Sequence, residues 1–223
     1  ALSGGYINPD VRESAPFSFS TLSKANLELR NLGQDVPFLL KFTPAAVVNS
    51  DAGTGIGYTG IRIRGSDGTR TNVTINGVPL NDAESQGTFW VDLPDFATSV
   101  QNLQIQRGVG LSTNGAGAFG AGVHLQTLEK NSDAYFQSGN TIGSFNTIKN
   151  NIAFNTGLVN EHFTFNGRLS RIQSDGYIDR ATADLQSHYL HAGWWGEKAN
   201  IQVLFFHGHE ETYQAWFGLP VQY

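Results

Sequence analysis

The chain has 223 residues, with 14 Lys and Arg against 19 Asp and Glu, a formal net charge of −5. That balance excludes a general nucleic-acid binder, which needs a basic face against phosphate. Cysteine is absent, which excludes disulfides, thiolate catalysis and Cys-ligated zinc or iron–sulfur centres.

Charged residues make up only 15% of the chain, and Gly reaches 26 residues. Methionine is absent, so the chain is expected to be processed, trimmed or part of a longer protein. No stretch approaches the ~20 apolar residues of a membrane helix. Ala1–Asp10 lacks the basic and apolar regions of a signal peptide. A β-barrel gives a far weaker signal and stays open.

In chain order, Ser23 is placed to cap a helix over Lys24–Leu32, with Gly33 as its stop. Asp35 is placed to cap a second, Val36–Phe42, with Pro37 in its first turn and Thr43-Pro44 at its end. Ile61–Arg64 alternates as a half-buried strand, and so does Asn72–Asn76, with Val73 and Ile75 on one face. Asn76-Gly77 is a turn signal. Pro94-Asp95 opens a short helix to about Val100; Leu103–Gln106 and Gly122–Leu128 are strands. The mixture lacks regular βαβ spacing, which predicts an α/β unit with a small mixed sheet.

Composition changes near Glu129–Asp133. In Thr147–Thr156, Ile148, Ile152 and Phe154 share one face, and Thr147, Lys149, Asn151 and Asn155 the other. In Glu161–Gln173, Phe163, Phe165 and Leu169 oppose His162, Thr164, Asn166, Arg168 and Ser170. Leu185–Trp195 and Ile201–Glu210 continue as strands. The pattern fits a sheet with one apolar and one hydrated side, whether a membrane barrel or a soluble β-sandwich. Trp194, Trp195, Tyr213 and Trp216 sit at strand ends, as interface aromatics would.

Several motifs are decoys. Gly55–Gly60 fits G-x-G-x-x-G, but it leads into a strand rather than a helix, so no dinucleotide site is expected. His207 and His209 share a strand face, yet no third ligand accompanies them, and no metal is expected. Asp82 and Glu84 lie in a polar loop with nothing to tune them as an acid–base pair. With no catalytic constellation, an enzyme is not expected.

Leu103–Thr127 reads LQIQRGVGLSTNGAGAFGAGVHLQT: a strand closed by Arg107-Gly108, six Gly in the fifteen residues Gly108–Gly122, then another strand. On its residues this is a long hairpin loop or a domain packed in a tight enclosure. The stretch resembles the plug-domain signature of TonB-dependent outer-membrane receptors. Asp35–Val48, Gly60–Asp67 (GIRIRGSD) and Thr74–Asp82 (TINGVPLND) resemble three further plug segments, in the family's order.

The resemblance implies an α/β plug with a small mixed sheet and short helices, followed by antiparallel strands of a transmembrane β-barrel. Its divisions are an N-terminal periplasmic segment (1–15), the plug (16–130) and the first barrel strands (131–223). Residues 133–223 leave room for about five or six strands of the family's ~22, so the barrel is incomplete and the chain is expected to be a fragment. The family's short apolar TonB box has no clear match in Ala1–Pro16.

The implied function is outer-membrane import, in a Gram-negative bacterium, of a scarce nutrient: siderophore-iron, haem, cobalamin or a glycan. The implied partners are TonB with its proton-driven inner-membrane complex, the substrate, outer-membrane lipid and a surface lipoprotein; no cofactor and no nucleic acid are implied. Apical loops Asp51–Thr59, Asn81–Trp90 and Ser112–Gly115 are the expected substrate contacts, with Asn81, Asp82, Gln86, Phe89, Trp90 and Asn114 as binding residues. Asn114 stands where some ferric-siderophore receptors carry an aromatic residue. Arg64 and Arg107, at the two Arg-Gly positions, are expected to pair with barrel carboxylates. Gly65, Gly108, Gly115, Gly120 and Gly122 are the plug glycines. Two other readings are a receptor-like docking subunit of an envelope assembly and a soluble carbohydrate-binding β-protein.

Overall fold

The computed structural model describes residues 18–109, 115, 118–127 and 132–214. Its first half holds β1 (Ser18–Ser23), α1 (Lys24–Glu28), α2 (Val36–Leu39), β2 (Ala46–Ser50), β3 (Thr59–Ile63), β4 (Thr71–Ile75), β5 (Val78–Pro79), β6 (Asn102–Arg107) and β7 (Ala121–Gln126). β2 and β3 form a ribbon; the other five strands make one sheet, ordered β1-β6-β7-β4-β5. β4 pairs with β7 in parallel and the remaining pairs are antiparallel, so the sheet is mixed as expected. Asn76 and Gly77 both have positive φ (52° and 82°), the type I′ requirement that lets β4 return as β5.

Val73, Ile75, Leu103, Ile105, Val123 and Leu125 enter one apolar core with Leu27, Val36, Leu40, Trp90 and Phe96. The opposite face carries Asn72, Thr74, Gln104, Gln106 and His124, also buried. β4 is therefore buried on both faces, not half-buried as its alternation predicts. Burial pushes His124 down to about 4, so the ring is neutral, with Nδ1 2.8 Å from the Thr74 hydroxyl.

Both helices are shorter than predicted. α1 stops at Glu28, and the chain turns through Asn31 to Gly33. Asp35 occupies the N-cap of α2 without a side-chain capping bond. Pro37 has no N–H to offer there, and the Phe38 N–H donates to the Asp35 carbonyl (3.0 Å). Pro94–Val100 contains only a 3₁₀ turn, Phe96–Ser99, entered from Asp95 at a left-handed φ of 51°.

The second half is an antiparallel meander of β8 (Ala134–Ile142), β9 (Ile148–Thr156), β10 (Phe163–Ser174), β11 (Ala183–Trp195) and β12 (Asn200–Thr212). One register row crosses all five strands: Phe136, Phe154, Gly167, Leu190 and Phe205. Gly167 in that row leaves room for its neighbours, since a Cβ there would strike the Phe154 ring. Phe163, Phe165 and Leu169 share this outward face and are exposed. One residue along, Lys149, Asn151, Thr164, Arg168, Ser170, Ser187 and His191 point inward and are buried. The wall is thus apolar outside and polar inside, the reverse of a water-soluble sandwich.

Candidate functional site

Where the first half meets this wall, the contact is polar and charged. Asp95 lies at the centre, its side chain fully buried. Its left-handed backbone carries the carboxylate toward β9 and β10. Lys149 Nζ lies 2.6 Å from Oδ1 and Arg168 Nη1 3.1 Å from Oδ2. Ser170 Oγ donates to Oδ2 (2.6 Å), Thr98 Oγ1 to Oδ1 (2.5 Å), and Arg168 Nη1 also to the Asp95 carbonyl (2.6 Å). From the α1 side, Asn31 Nδ2 donates to Thr98 Oγ1 (2.8 Å) and Asp95 Oδ1 (3.3 Å), and Lys149 donates back to Asn31 Oδ1 (3.2 Å). Burial would push the Asp95 carboxyl up. The Arg168 and Lys149 charges, with hydrogen bonds from Lys149 and Ser170, outweigh it and hold the carboxyl below its ordinary value.

Beside this cluster, the Phe96 ring meets Tyr189 edge-on at 6.3 Å and Phe206 at 5.6 Å. Gly208 of β12 faces the backbone at Asp92, where a Cβ would come within 2.6 Å of the carbonyl oxygen. At the end where β10 turns into β11, the Tyr177 and Ile178 N–H groups both donate to the Ala52 carbonyl. The Asp51–Thr59 loop is therefore tied to a wall hairpin, and Tyr177 also stacks edge-on with Phe145 of the β8–β9 turn (5.4 Å).

Asp35 differs from Asp95. Its carboxyl is buried, accepts one bond from Thr59 Oγ1 (2.7 Å), and leaves Oδ1 without a partner among the described residues. Burial pushes it well above the ordinary value; Thr59 opposes the shift and Glu210 adds to it. The folded state thus favours the protonated form, and Asp35 weakens folding as pH rises from about 4 through its folded value. Asp35→Asn is expected to raise stability at pH 7 by about 1 kcal/mol and to flatten the decline that sets in as pH rises above about 4. Denaturant midpoints at several pH values check this; an unchanged slope would mean that Asp35 does not titrate in that range.

The residues expected to bind substrate separate into distinct roles. Asn81 is a strut: Oδ1 accepts from Val73 N (2.8 Å), while Nδ2 donates to the Thr71 and Gln86 carbonyls (2.9 Å each). Asp82 Oδ2 accepts from Ser85 N (2.6 Å) and Glu84 N (3.1 Å), and the Ser85 backbone bond leads the causes that hold its carboxyl below the ordinary value. Gln86 and Phe89 are exposed. Trp90 requires a correction: it is 4% exposed and packs in the core. The 3₁₀ turn Trp90–Asp92 carries it inward with Val91. Asn114 lies outside the described residues.

Arg107 donates to Ser20 Oγ (2.6 Å) and to the Phe19 carbonyl (3.4 Å). Arg64 is exposed, with a left-handed φ of 53°; a Cβ on Gly108 would lie 2.5 Å from its Nη1. Among the described residues, neither arginine forms an ion pair. Gly65, Gly108 and Gly115 have positive φ, whereas Gly120 and Gly122 provide space. A Cβ on Gly120 would strike Ser66, and one on Gly122 would lie 2.6 Å from His124 Nε2. Gly60 sits within β3, and His207 is on the outward face opposite His188. Among the described residues, no three His, Asp or Glu are grouped to hold a metal ion.

The alternation puts Lys149 and Arg168 on the polar strand face but carries no sign of which residue is their partner. The available signal was two cations among uncharged inward positions, which require a buried acid opposite.

A family model described as TonB-dependent Receptor Plug Domain matches residues 11–122. The vitamin B12 transporter BtuB of Vibrio vulnificus (strain YJ016) is 28% identical over 168 residues, 75% of this chain and 26% of the transporter. The chain thus spans about a quarter of that curated relative's length. Among solved structures, the copper transporter OprC superposes with a TM-score of 0.74 at 18% identity, covering 91% of this chain and 32% of that one. The ferric-catecholate import receptor Fiu from E. coli K12 gives 0.70 at 12% identity, covering 89% and 28%. The siderophore receptor PirA from Acinetobacter baumannii gives 0.66 at 16% identity, covering 87% and 32%.

Proposed function

The chain belongs to the family of TonB-dependent receptor plug domains, and from that premise we propose that it is the plug and first wall strands of an outer-membrane nutrient receptor. The carrying observation is the inverted wall: Lys149, Arg168 and Ser170 face the plug through Asp95, while Phe154, Phe165 and Leu190 face outward. A lipid-facing wall around a polar seam suits a plug that must seat firmly and still move. We assign 16–130 to the plug, 131–223 to the wall and 1–15 to the periplasmic side.

The substrate is a scarce small nutrient of the siderophore-iron, haem, cobalamin or glycan class, taken up with energy transmitted by TonB. It binds over the apical loops, where Gln86 and Phe89 offer a hydrogen-bonding amide and an exposed ring, and Asn81 and Asp82 hold the loop's shape. Labelled cobalamin, haem, ferric siderophores and oligosaccharides are offered to cells carrying the intact receptor, with and without TonB. Uptake of one class, lost without TonB, is expected. Normal receptor abundance with no TonB-dependent uptake of any class overturns the reading.

The Gln86→Ala, Phe89→Ala double variant is expected to lower apparent affinity about tenfold at unchanged abundance, the range of one aromatic contact with one hydrogen bond. Binding titration on purified receptor checks it. Arg64 and Arg107 are assigned to wall carboxylates beyond the strands present here. Arg107→Ala is expected to weaken both plug seating and uptake; unchanged values of both would remove that role.

A further inference from the structure

We propose that Asn31 is the positioning residue through which displacement of the N-terminal arm loosens the buried seam at Asp95. Its part in transport rests on the receptor reading; its geometry does not.

β1 is an edge strand, paired to β6 alone through Ser18–Arg107 to Ser23–Asn102. It runs into α1 with no loop between, since Ser23 ends the strand and Lys24 begins the helix. Leu27 anchors α1 in the core at 1% exposure, and the Asn31 N–H donates to the Leu27 carbonyl (2.8 Å). Displacement of β1 that carries α1 and Leu27 with it therefore takes Asn31 along, because Asn31 is bonded to the Leu27 carbonyl and lies four residues on, at most about 14 Å of extended chain.

Asn31 is not replaceable by its neighbours. The Lys149 ammonium has three N–H groups and three acceptors: Asp95 Oδ1, Thr98 Oγ1 (3.2 Å) and Asn31 Oδ1. Withdrawing Asn31 leaves one ammonium donor unmet in a buried site and removes a donor from the Asp95 carboxylate. The cluster holds two cations against one carboxylate, so neutral acceptors are what let the second cation stay buried. Arg30 and Lys41 stay outside this linkage; their charges lie over the exposed Phe42 ring at 5.7 and 5.1 Å.

Amide hydrogen exchange on the intact receptor in bilayers tests the linkage, read at residues 95–100 with Val123–Leu125, which pair with β4 and β6 and not with β1, as internal control. Asn31→Ala is expected to accelerate exchange at 95–100 about tenfold, the value of one hydrogen bond to a charged group, and to leave the control unchanged. In a Lys149→Met background the same change is expected to add clearly less than in the wild type, because the bond from Lys149 is already gone and only the longer bond from Asn31 to Asp95 Oδ1 (3.3 Å) remains to be lost. A receptor lacking residues 1–23 is expected to show the same local acceleration. Equal acceleration in the control segment, additive effects in the double variant, or no acceleration overturns the proposal. Should Asn31→Ala fail to assemble, unchanged exchange at 95–100 in the arm-less receptor overturns it instead. No uptake is measured, so a failure of the receptor reading leaves these outcomes distinct.

Discussion

Asp95→Asn is expected to destabilise plug seating by about 3–5 kcal/mol, because it strands two buried cations. Lys149 and Arg168 have side chains only 5% and 3% exposed, and Asp95 is the one carboxylate that pairs with them among the described residues. Asparagine keeps the shape and can still accept from Ser170, but it brings no charge. A triple variant, Asp95→Leu with Lys149→Met and Arg168→Met, is expected to recover most of the loss, since a buried ion cluster is costly to break singly and cheap to replace whole. A cysteine reporter introduced by Glu84→Cys, on the exposed loop, reads plug unfolding by denaturant titration. A loss below about 1 kcal/mol for Asp95→Asn, the value of a surface pair, would show the cluster open to water.

The pH dependence of seating carries the same information with its own sign. The Asp95 carboxyl sits below its ordinary value when folded, so its contribution is complete above about pH 4 and is lost as pH falls through the folded value. Asp35 sits above its ordinary value, so its effect runs the opposite way over the range above about pH 4. Seating in the wild type is therefore expected to decline on both sides of about pH 4, through Asp35 as pH rises and through Asp95 as pH falls. Asp35→Asn is expected to reduce the first slope, which Asp92 shares, and Asp95→Asn the second, which Asp67 and Asp82 share.

Much of this was legible in residue order. Ile-Arg-Ile-Arg and the Asn76-Gly77 turn mark a strand and a hairpin because each depends on neighbours within a few residues. The wall strands are legible for the same reason: a period of two over ten residues leaves one assignment of faces. Asp95 was not legible. A Pro-Asp pair reads as a helix start, and its left-handed backbone is fixed by Arg168, 73 residues away, holding its carbonyl. Trp90 was misread because an aromatic in a polar loop has no local sign of where it points. Its burial depends on Leu93 and Phe96 in the same core. β1 escaped because Ser18–Ser23 carries only Phe19 and Leu22, and pairing with β6 defines it.

The outer face of the wall provides the other large effect. Leu190 stands in the register row of Phe136, Phe154, Gly167 and Phe205, in the middle of the outward apolar face. Leu190→Arg is expected to cost about 2–4 kcal/mol of folding free energy in a bilayer, the range for arginine at the midplane of a barrel strand. Arg168, paired with the residue just before Leu190, is already an arginine and is tolerated, because it faces inward onto Asp95. Register alone separates the two sites, since adjacent positions on paired strands point to opposite faces. Urea titration in liposomes, followed by the migration of folded and unfolded receptor on gels, measures the difference. Leu190→Asn is expected to fall between wild type and arginine. If Leu190→Arg costs less than about 0.5 kcal/mol, as an exposed position in water would, the outward face is hydrated. The wall would then be the soluble β-sheet that alternation alone permits, and the plug would need another enclosure for the charge at Asp95.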